Sequence, residues 1–289
     1  MTILDLPDGR RLDFEVSGPQ DGVPLVMHHG TPGSLVQFPE AQTAAQARGL
    51  RLVTYSRPGY GASTRQPGRT VADAARDVAA LLDHLDAPRC VTVGWSGGGP
   101  HALATAARLP GRVAAVATVA GVGPYDGPGL DFTAGMGQGN IEEFELAVAG
   151  EDALRAGLTT EAQALRDADP AQLIEGMTDV LSEADRATLA GGGGSQISAS
   201  FAQGLRLGPD GWIDDDLAFI RPWGFALDEI AVPAFVWQGG EDLMVPFAHG
   251  SWLAGAIPGA VAHLEPKQGH LSLFLDGADR ILDDLVAAL

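Results

Sequence analysis

The sequence predicts an α/β fold: a mostly parallel central sheet with helices on both faces, interrupted by an inserted run of helices. Three observations predict it. Short apolar runs alternate with helix-patterned stretches up to about residue 123, and parallel strands need a long crossover between them, usually a helix. Between residues 124 and 208 that rhythm stops; the chain becomes helix-rich, glycine-interrupted and acidic, and the alternation then resumes. At Cys90–Gly98, an apolar strand run, a glycine turn carrying Ser96 and a helix start follow one another without a gap. The implied division is a core of residues 1–123 and 209–289, with a helical cap over 124–208.

Each element has its own signal. Thr2–Leu6 and Leu12–Val16 flank Pro7-Asp8-Gly9-Arg10 and read as a hairpin. Val23–His28 is a short buried strand ending near Gly30, and Phe38–Arg48 is a helix closed by Gly49. Leu50–Tyr55 is a strand that runs into Ser56-Arg57-Pro58-Gly59-Tyr60-Gly61. Thr70 caps a helix over Val71–Leu85, whose Val71, Ala74, Ala75, Val78, Leu81, Leu82 and Leu85 share one face. Cys90–Val93 is a strand, Pro100–Ala107 a helix and Val113–Val119 a strand. The insertion should hold helices at Asn140–Ala149, Asp152–Ala156, Thr160–Ala168, Pro170–Leu181 and Ser182–Leu189, with Gly191–Gly194 as a turn or hinge. Ala234–Trp237 and Ala260–Leu264 are strands, Phe247–Ala256 is a helix, and Leu271–Leu289 is a terminal helical stretch.

Composition removes several function classes. With 45% apolar and 19% charged residues, the 289-residue chain can bury a large core. Its formal net charge of -19 disfavours nucleic acid and anionic membrane surfaces as partners. The lone cysteine, Cys90, excludes an internal disulfide and any multi-cysteine metal site, and its strand position reads as a buried thiol. The seven histidines form no H-x-x-x-H pattern, so no metal is expected, and the serine chemistry below calls for no cofactor. No basic, apolar leader and no membrane-length apolar run is present, which points to a cytoplasmic chain.

Ser96 is the centre of the chemistry. In Gly94-Trp95-Ser96-Gly97-Gly98 it sits on a strand–turn–helix junction, where a serine hydroxyl is held exposed and the following helix start aims N–H groups at developing negative charge. A serine nucleophile needs a general base, and the base needs an orienting carboxylate. Asp242 follows the Ala234–Trp237 strand in Gly239-Gly240-Glu241-Asp242, and His270 follows the Ala260–Leu264 strand in Gln268-Gly269-His270. Their chain order is serine, acid, histidine. Glu241 and Asp126 are the substitute acids. Oxyanion donors are expected at the amides of Gly97 and of Thr31, in His28-His29-Gly30-Thr31-Pro32-Gly33, because Pro32 has no N–H to offer. His29 should brace that loop.

Together His29–Gly33, Ser56–Gly61, Gly94–Gly98, Gly240–Asp242 with Val245-Pro246, and Gly269-His270 resemble the α/β-hydrolase superfamily over almost all of the chain outside the insertion. That resemblance implies the α/β-hydrolase fold, a helical cap that roofs the pocket, and a serine hydrolase cleaving a carboxylic ester or lactone through an acyl-enzyme. Ser96, where dehalogenases and epoxide hydrolases of the superfamily carry aspartate, argues against both of those chemistries. The expected partner is a small-molecule acyl substrate; the oligomeric state is not legible. Trp95, Phe132, Met136, Phe144 and Phe201 are candidate substrate contacts, with Leu146, Met177, Leu181 and Ile197 beside them. The acidic stretch with Glu142, Glu143, Glu145, Glu151 and Asp152 is a solvated helix face, or else supplies carboxylates for a substrate ammonium. The latter would suit an aminopeptidase of the proline iminopeptidase type. A non-catalytic small-molecule-binding protein on the same fold is the alternative from another class.

Overall fold

A computed structural model describes residues 2–289. The hairpin is β1 (Thr2–Asp5) and β2 (Arg11–Ser17), joined in one sheet by β3 (Pro24–His28), β4 (Arg51–Tyr55), β5 (Cys90–Trp95), β6 (Val113–Val119), β7 (Ala234–Gly239) and β8 (Val261–Glu265). The order across the sheet is β1-β2-β4-β3-β5-β6-β7-β8. β2 is antiparallel to β1 and β4, and every other pairing is parallel. From β3 the chain first moves outward to β4, then crosses back to lay β5 on the other side of β3. In open α/β sheets ligands bind at such a reversal, beyond the carboxyl ends of the strands. Here the register sets His28 opposite Gly94, which brings the loop after β3 beside the turn after β5.

Every residue of β3 and β5 is buried, as both faces of a parallel sheet are covered. Alternation divides their side chains between two cores. Val26, Val53 and Val116 pack on the face that holds α2 (Ala74–His84), α3 (Gly98–Arg108) and α10 (Phe247–Ala256). Leu25, Met27, Val91 and Val93 pack on the face of α1 (Pro39–Ala47), α11 (His270–Leu275) and α12 (Ala278–Ala287). Cys90 is fully buried, which pushes its thiol up to about 12. Thr70 caps a short 3₁₀ turn, Val71–Asp73, that leads into α2.

The segment between β6 and β7 carries α4 (Gln138–Ala149), α5 (Glu151–Asp167), α6 (Pro170–Gly176), α7 (Glu183–Thr188), α8 (Gly194–Gly204) and α9 (Asp210–Phe219). It differs from the sequence expectation in several places. The two helices expected at 152–156 and 160–168 are one, because Gly157 does not break α5 but lets it lie directly on the Leu146 side chain of α4. α6 stops at Gly176, short of Leu181. The glycine run is not a free turn: a π-helical turn over Leu189–Gly193, kinked at Gly192 (φ 124°), feeds straight into α8. The terminal helical stretch is two helices, α11 and α12. Among the described residues, no helix is long and apolar enough to cross a membrane.

Candidate active site

Ser96 directly follows β5 with φ +56°, a left-handed conformation that is strained for a residue bearing a Cβ. The strain is held by neighbours: Ser96 N–H donates to Val119 O (2.9 Å) and Gly99 N–H to Ser96 O (2.9 Å). Glycine is required on both sides of the turn. A Cβ on Gly94 would strike the backbone of Gly98, and one on Gly98 would strike the His28 carbonyl.

Asp242 and His270 meet. Asp242 Oδ2 lies 2.8 Å from His270 Nδ1 and also accepts from Gln238 Nε2 (3.2 Å), while its Oδ1 accepts from the amides of Met244 (2.9 Å) and Val245 (2.8 Å). These contacts fix the carboxylate, so Nδ1 must carry the proton and Nε2 is left to exchange one. Glu241 and Asp126, the substitute acids, are exposed on the surface. Burial works to lower the His270 pKa, but the charge and hydrogen bond of Asp242, helped by Asp185, outweigh it and leave the imidazole raised.

Two further groups position His270: Asp185, which carries no signal in the sequence, and Trp95, which the sequence singles out only as a substrate contact. Asp185 of α7 is fully buried and accepts from the first three amides of α11, those of His270 (3.0 Å), Leu271 (2.8 Å) and Ser272 (2.9 Å). A carboxylate on a helix N-terminus satisfies donors that otherwise have no partner. Trp95 stacks on Phe274 (ring centroids 5.1 Å apart) and donates through Nε1 to His270 O (3.2 Å).

The loop after β3 is tied down from behind. His29 braces it, with Nδ1 2.7 Å from Gly30 O and Nε2 accepting from Arg57 N–H (3.1 Å). The Arg57 guanidinium donates to the His29 carbonyl, to Gly30 O (2.9 Å) and to Thr31 Oγ1 (2.9 Å). Behind it lies Asp215 of α9, wholly buried, which accepts from Arg57 (2.6 Å), Arg69 (2.6 Å), Thr31 Oγ1 (2.7 Å) and Tyr60 Oη (2.9 Å). Burial alone would raise this carboxyl, but the two guanidinium groups hold it well below the usual carboxylate range. The Ser56–Gly61 turn is thus part of a buried ion cluster that fixes Thr31. Among the described residues, neither the Thr31 nor the Gly97 amide donates to another group of the protein.

A cavity of about 700 Å³ opens above these residues. Ser96, His270, Thr31 and Gly97 all line it, so positions singled out in three separate loops reach one cavity. Among the described residues, no hydrogen bond joins Ser96 Oγ to His270 Nε2. Trp95, Met136, Phe144 and Phe201 also line the cavity, as do Met177 and Ile197. Phe132 does not. Its ring is buried edge-on against Phe144 and His249, and its carbonyl accepts from His249 Nε2 (2.8 Å). Leu146 and Leu181 likewise pack away from the cavity. Of the acidic stretch only Glu143 turns in; Glu142, Glu145, Glu151 and Asp152 face solvent. Glu143 meets Asp216 of α9, a residue without a local sequence signal. Of the remaining histidines, His28 and His101 are buried and structural, while His84 is exposed. His28 is held between Tyr55 Oη and Thr92 Oγ1, and His101 has Nδ1 2.8 Å from Gly97 O.

Known proteins share this arrangement of chain. A family model described as the alpha/beta hydrolase fold matches residues 23–277. A non-heme chloroperoxidase of Streptomyces lividans is 34% identical over 53% of this chain and 56% of its own length, so the chain spans little more than half of that relative. Among solved structures, the esterase RhEst1 from Rhodococcus sp. ECU1013 superposes with a TM-score of 0.70 at 21% identity, covering 100% of both chains. The enol-lactonase from Burkholderia xenovorans LB400 superposes with a TM-score of 0.68 at 23% identity, covering 99% of both. At these identities the two structures speak for the fold.

Proposed function

Since the chain belongs to the alpha/beta hydrolase family, we propose that it is a serine hydrolase cleaving an ester-like acyl bond, a carboxylic ester or a lactone, through an acyl-enzyme intermediate. The observation that carries this reading is the 2.8 Å contact between Asp242 and His270 Nδ1, on the wall of the cavity that Ser96 also lines.

Ser96 Oγ attacks the acyl carbonyl while His270 Nε2 takes its proton. The imidazolium formed is stabilised by Asp242, which stays ionised. The amides of Thr31 and Gly97 receive the oxyanion; each such donor is worth about 3 kcal/mol in the transition state. His270 gives the proton to the leaving oxygen as its bond to the carbonyl carbon breaks; the alcohol departs from an ester, or stays at the far end of an opened lactone, and Ser96 carries the acyl group. Water, deprotonated by the same imidazole, then repeats the sequence and frees the acid. None of these steps calls on a cofactor. The helices of 124–208 act as a lid whose apolar side chains hold the acyl part.

The pH profile carries a sign. The neutral imidazole is the base, so kcat/KM rises as His270 loses its proton. With the imidazole raised by Asp242, the acid limb should have its midpoint above the ordinary histidine value of about 6.5. A midpoint at or below that value would speak against Asp242 as the partner that sets the base.

A fluorophosphonate probe tests the nucleophile directly. One equivalent should be incorporated at Ser96, found by peptide mass spectrometry, with loss of turnover on a panel of p-nitrophenyl esters, lactones and aminoacyl-naphthylamides. Binding of small molecules from that panel with neither labelling nor turnover would replace this reading by the ligand-binding one. Faster turnover of the naphthylamides than of the esters would move the assignment to an aminopeptidase.

A further inference from the structure

Three consecutive aspartates on α9, Asp214, Asp215 and Asp216, are each at most 2% exposed. Successive residues of a helix point about 100° apart, so they enter three different environments. Asp214 is paired with Arg65, through Nε (2.9 Å) and Nη2 (2.8 Å). Asp215 is paired with Arg57 and Arg69. Asp216 is paired with no cation among the described residues. It lies instead against Glu143, a second carboxyl, and its Oδ2 has no hydrogen-bond partner among the described residues.

This pair faces the cavity. Asp216 and Glu143 both line it, and Glu143 is held in place by Trp212 Nε1, which donates to its Oε1 (2.6 Å). Trp212, Asp216 and Phe219 follow the i, i+4, i+7 face of α9. Phe219 packs on Gly97, so Asp216 stands about one helical turn, some 5 Å along the axis, from a residue that abuts the turn of Ser96. Exposed Glu161, Asp167 and Asp179 line the same cavity, and among the described residues no lysine or arginine does. A carboxylate- or phosphate-bearing substrate would meet repulsion throughout. A buried acid pair that no lysine, arginine or histidine among the described residues neutralises costs stability, so its presence on the cavity wall calls for a positive partner that arrives with the ligand.

We propose that Glu143 and Asp216 form a subsite for a protonated amine carried by the substrate, so that the esters or amides this protein takes are cationic. The proposal rests on the acyl-hydrolase reading and narrows its substrate class. Burial and the closeness of two acids keep both from ionising together: Glu143 is pushed up to about 7 and Asp216 well above the usual carboxylate range. The pair therefore holds one shared proton and one negative charge, which a single ammonium reaching it from the cavity neutralises.

Calorimetric titration with benzylamine and with benzyl alcohol tests this without requiring turnover. Protonated benzylamine should bind at least about tenfold more tightly than its neutral isostere. That preference should vanish in the Glu143→Gln/Asp216→Asn double variant, checked for native circular dichroism. Equal dissociation constants for the two ligands on the unaltered protein overturn the proposal even where the double variant fails to fold, as does a preference that survives both substitutions. Failure of the hydrolase reading looks different: no fluorophosphonate labelling and no ester turnover. Turnover of neutral esters without any amine preference sinks the subsite alone.

Discussion

Changing Ser96 to alanine should lower kcat on p-nitrophenyl acetate by on the order of 10⁴- to 10⁶-fold, with KM little altered. The large factor follows from the nucleophile role proposed for the residue. Without Oγ no acyl-enzyme forms, and what is left is water attacking a carbonyl held by the Thr31 and Gly97 amides. Such donors and binding together still give on the order of 10³-fold over solution, so a small residual rate is expected. The fold should not change. Among the described residues Ser96 Oγ makes no hydrogen bond, and alanine has the same left-handed strain at φ +56° that serine already bears. The melting temperature of the variant should stay within a few degrees of the unaltered protein, which corresponds to less than about 1 kcal/mol. Steady-state kinetics and a thermal melt on the same preparation decide it. A variant that keeps more than about a tenth of the rate would remove Ser96 from the mechanism; one that loses rate and stability together would make the serine a structural residue of the turn.

How much of this was legible in the sequence depends on how far apart the interacting residues lie. The sheet was legible because β-branched runs announce it: Val113–Val119 matches β6 residue for residue. The loop positions 31, 96, 242 and 270 were legible because each stands in glycine punctuation immediately after a strand, and the topology gathers all such loops at one edge of the sheet. The groups behind them were not. Asp215 is 158 residues from Arg57 and 146 from Arg69, and nothing local distinguishes it from Asp214 or Asp216. Asp185 sits 85 residues before the helix it caps. A run of acids in a helical stretch looks solvated by pattern; only the packing of α4 on α9 decides that Glu143 turns inward and its neighbours do not. Phe132 and Phe144 are equivalent by the same test, yet one fills the core and the other the cavity wall. Gly157, a breaker by propensity, lies inside α5 because a close helix contact needs it.

That ion cluster carries the second large effect. Replacing Asp215 with alanine should cost about 3–5 kcal/mol of stability, because it leaves Arg57 and Arg69 buried without their common anion and strips Thr31 and Tyr60 of an acceptor. Urea unfolding at neutral pH measures it. The acid limb of stability gives an independent check on sign. The two guanidinium groups hold the Asp215 pKa well below its unfolded value of about 4, so its contribution is present above that value and is lost as pH falls toward the depressed folded one. Asp215→Asn should therefore destabilise at pH 7 and flatten the decline between neutral and acid pH. Catalysis offers a readout that packing alone would not move. Asp215 reaches the loop after β3, where the oxyanion donor is proposed, through Thr31 Oγ1 and through Arg57, which in turn holds the His29 and Gly30 carbonyls. If it positions the Thr31 amide, Asp215→Asn should lower kcat by roughly the 10²-fold that losing one oxyanion donor costs, with KM nearly constant. Replacing Arg57, Arg69 and Asp215 together by methionine, methionine and leucine separates the two roles. Apolar packing can offset a buried ion cluster, so stability should largely return, while kcat should stay low because the loop has lost its tether. Recovery of kcat along with stability in that triple variant would show that the cluster only fills space, and that the Thr31 amide needs no help from α9.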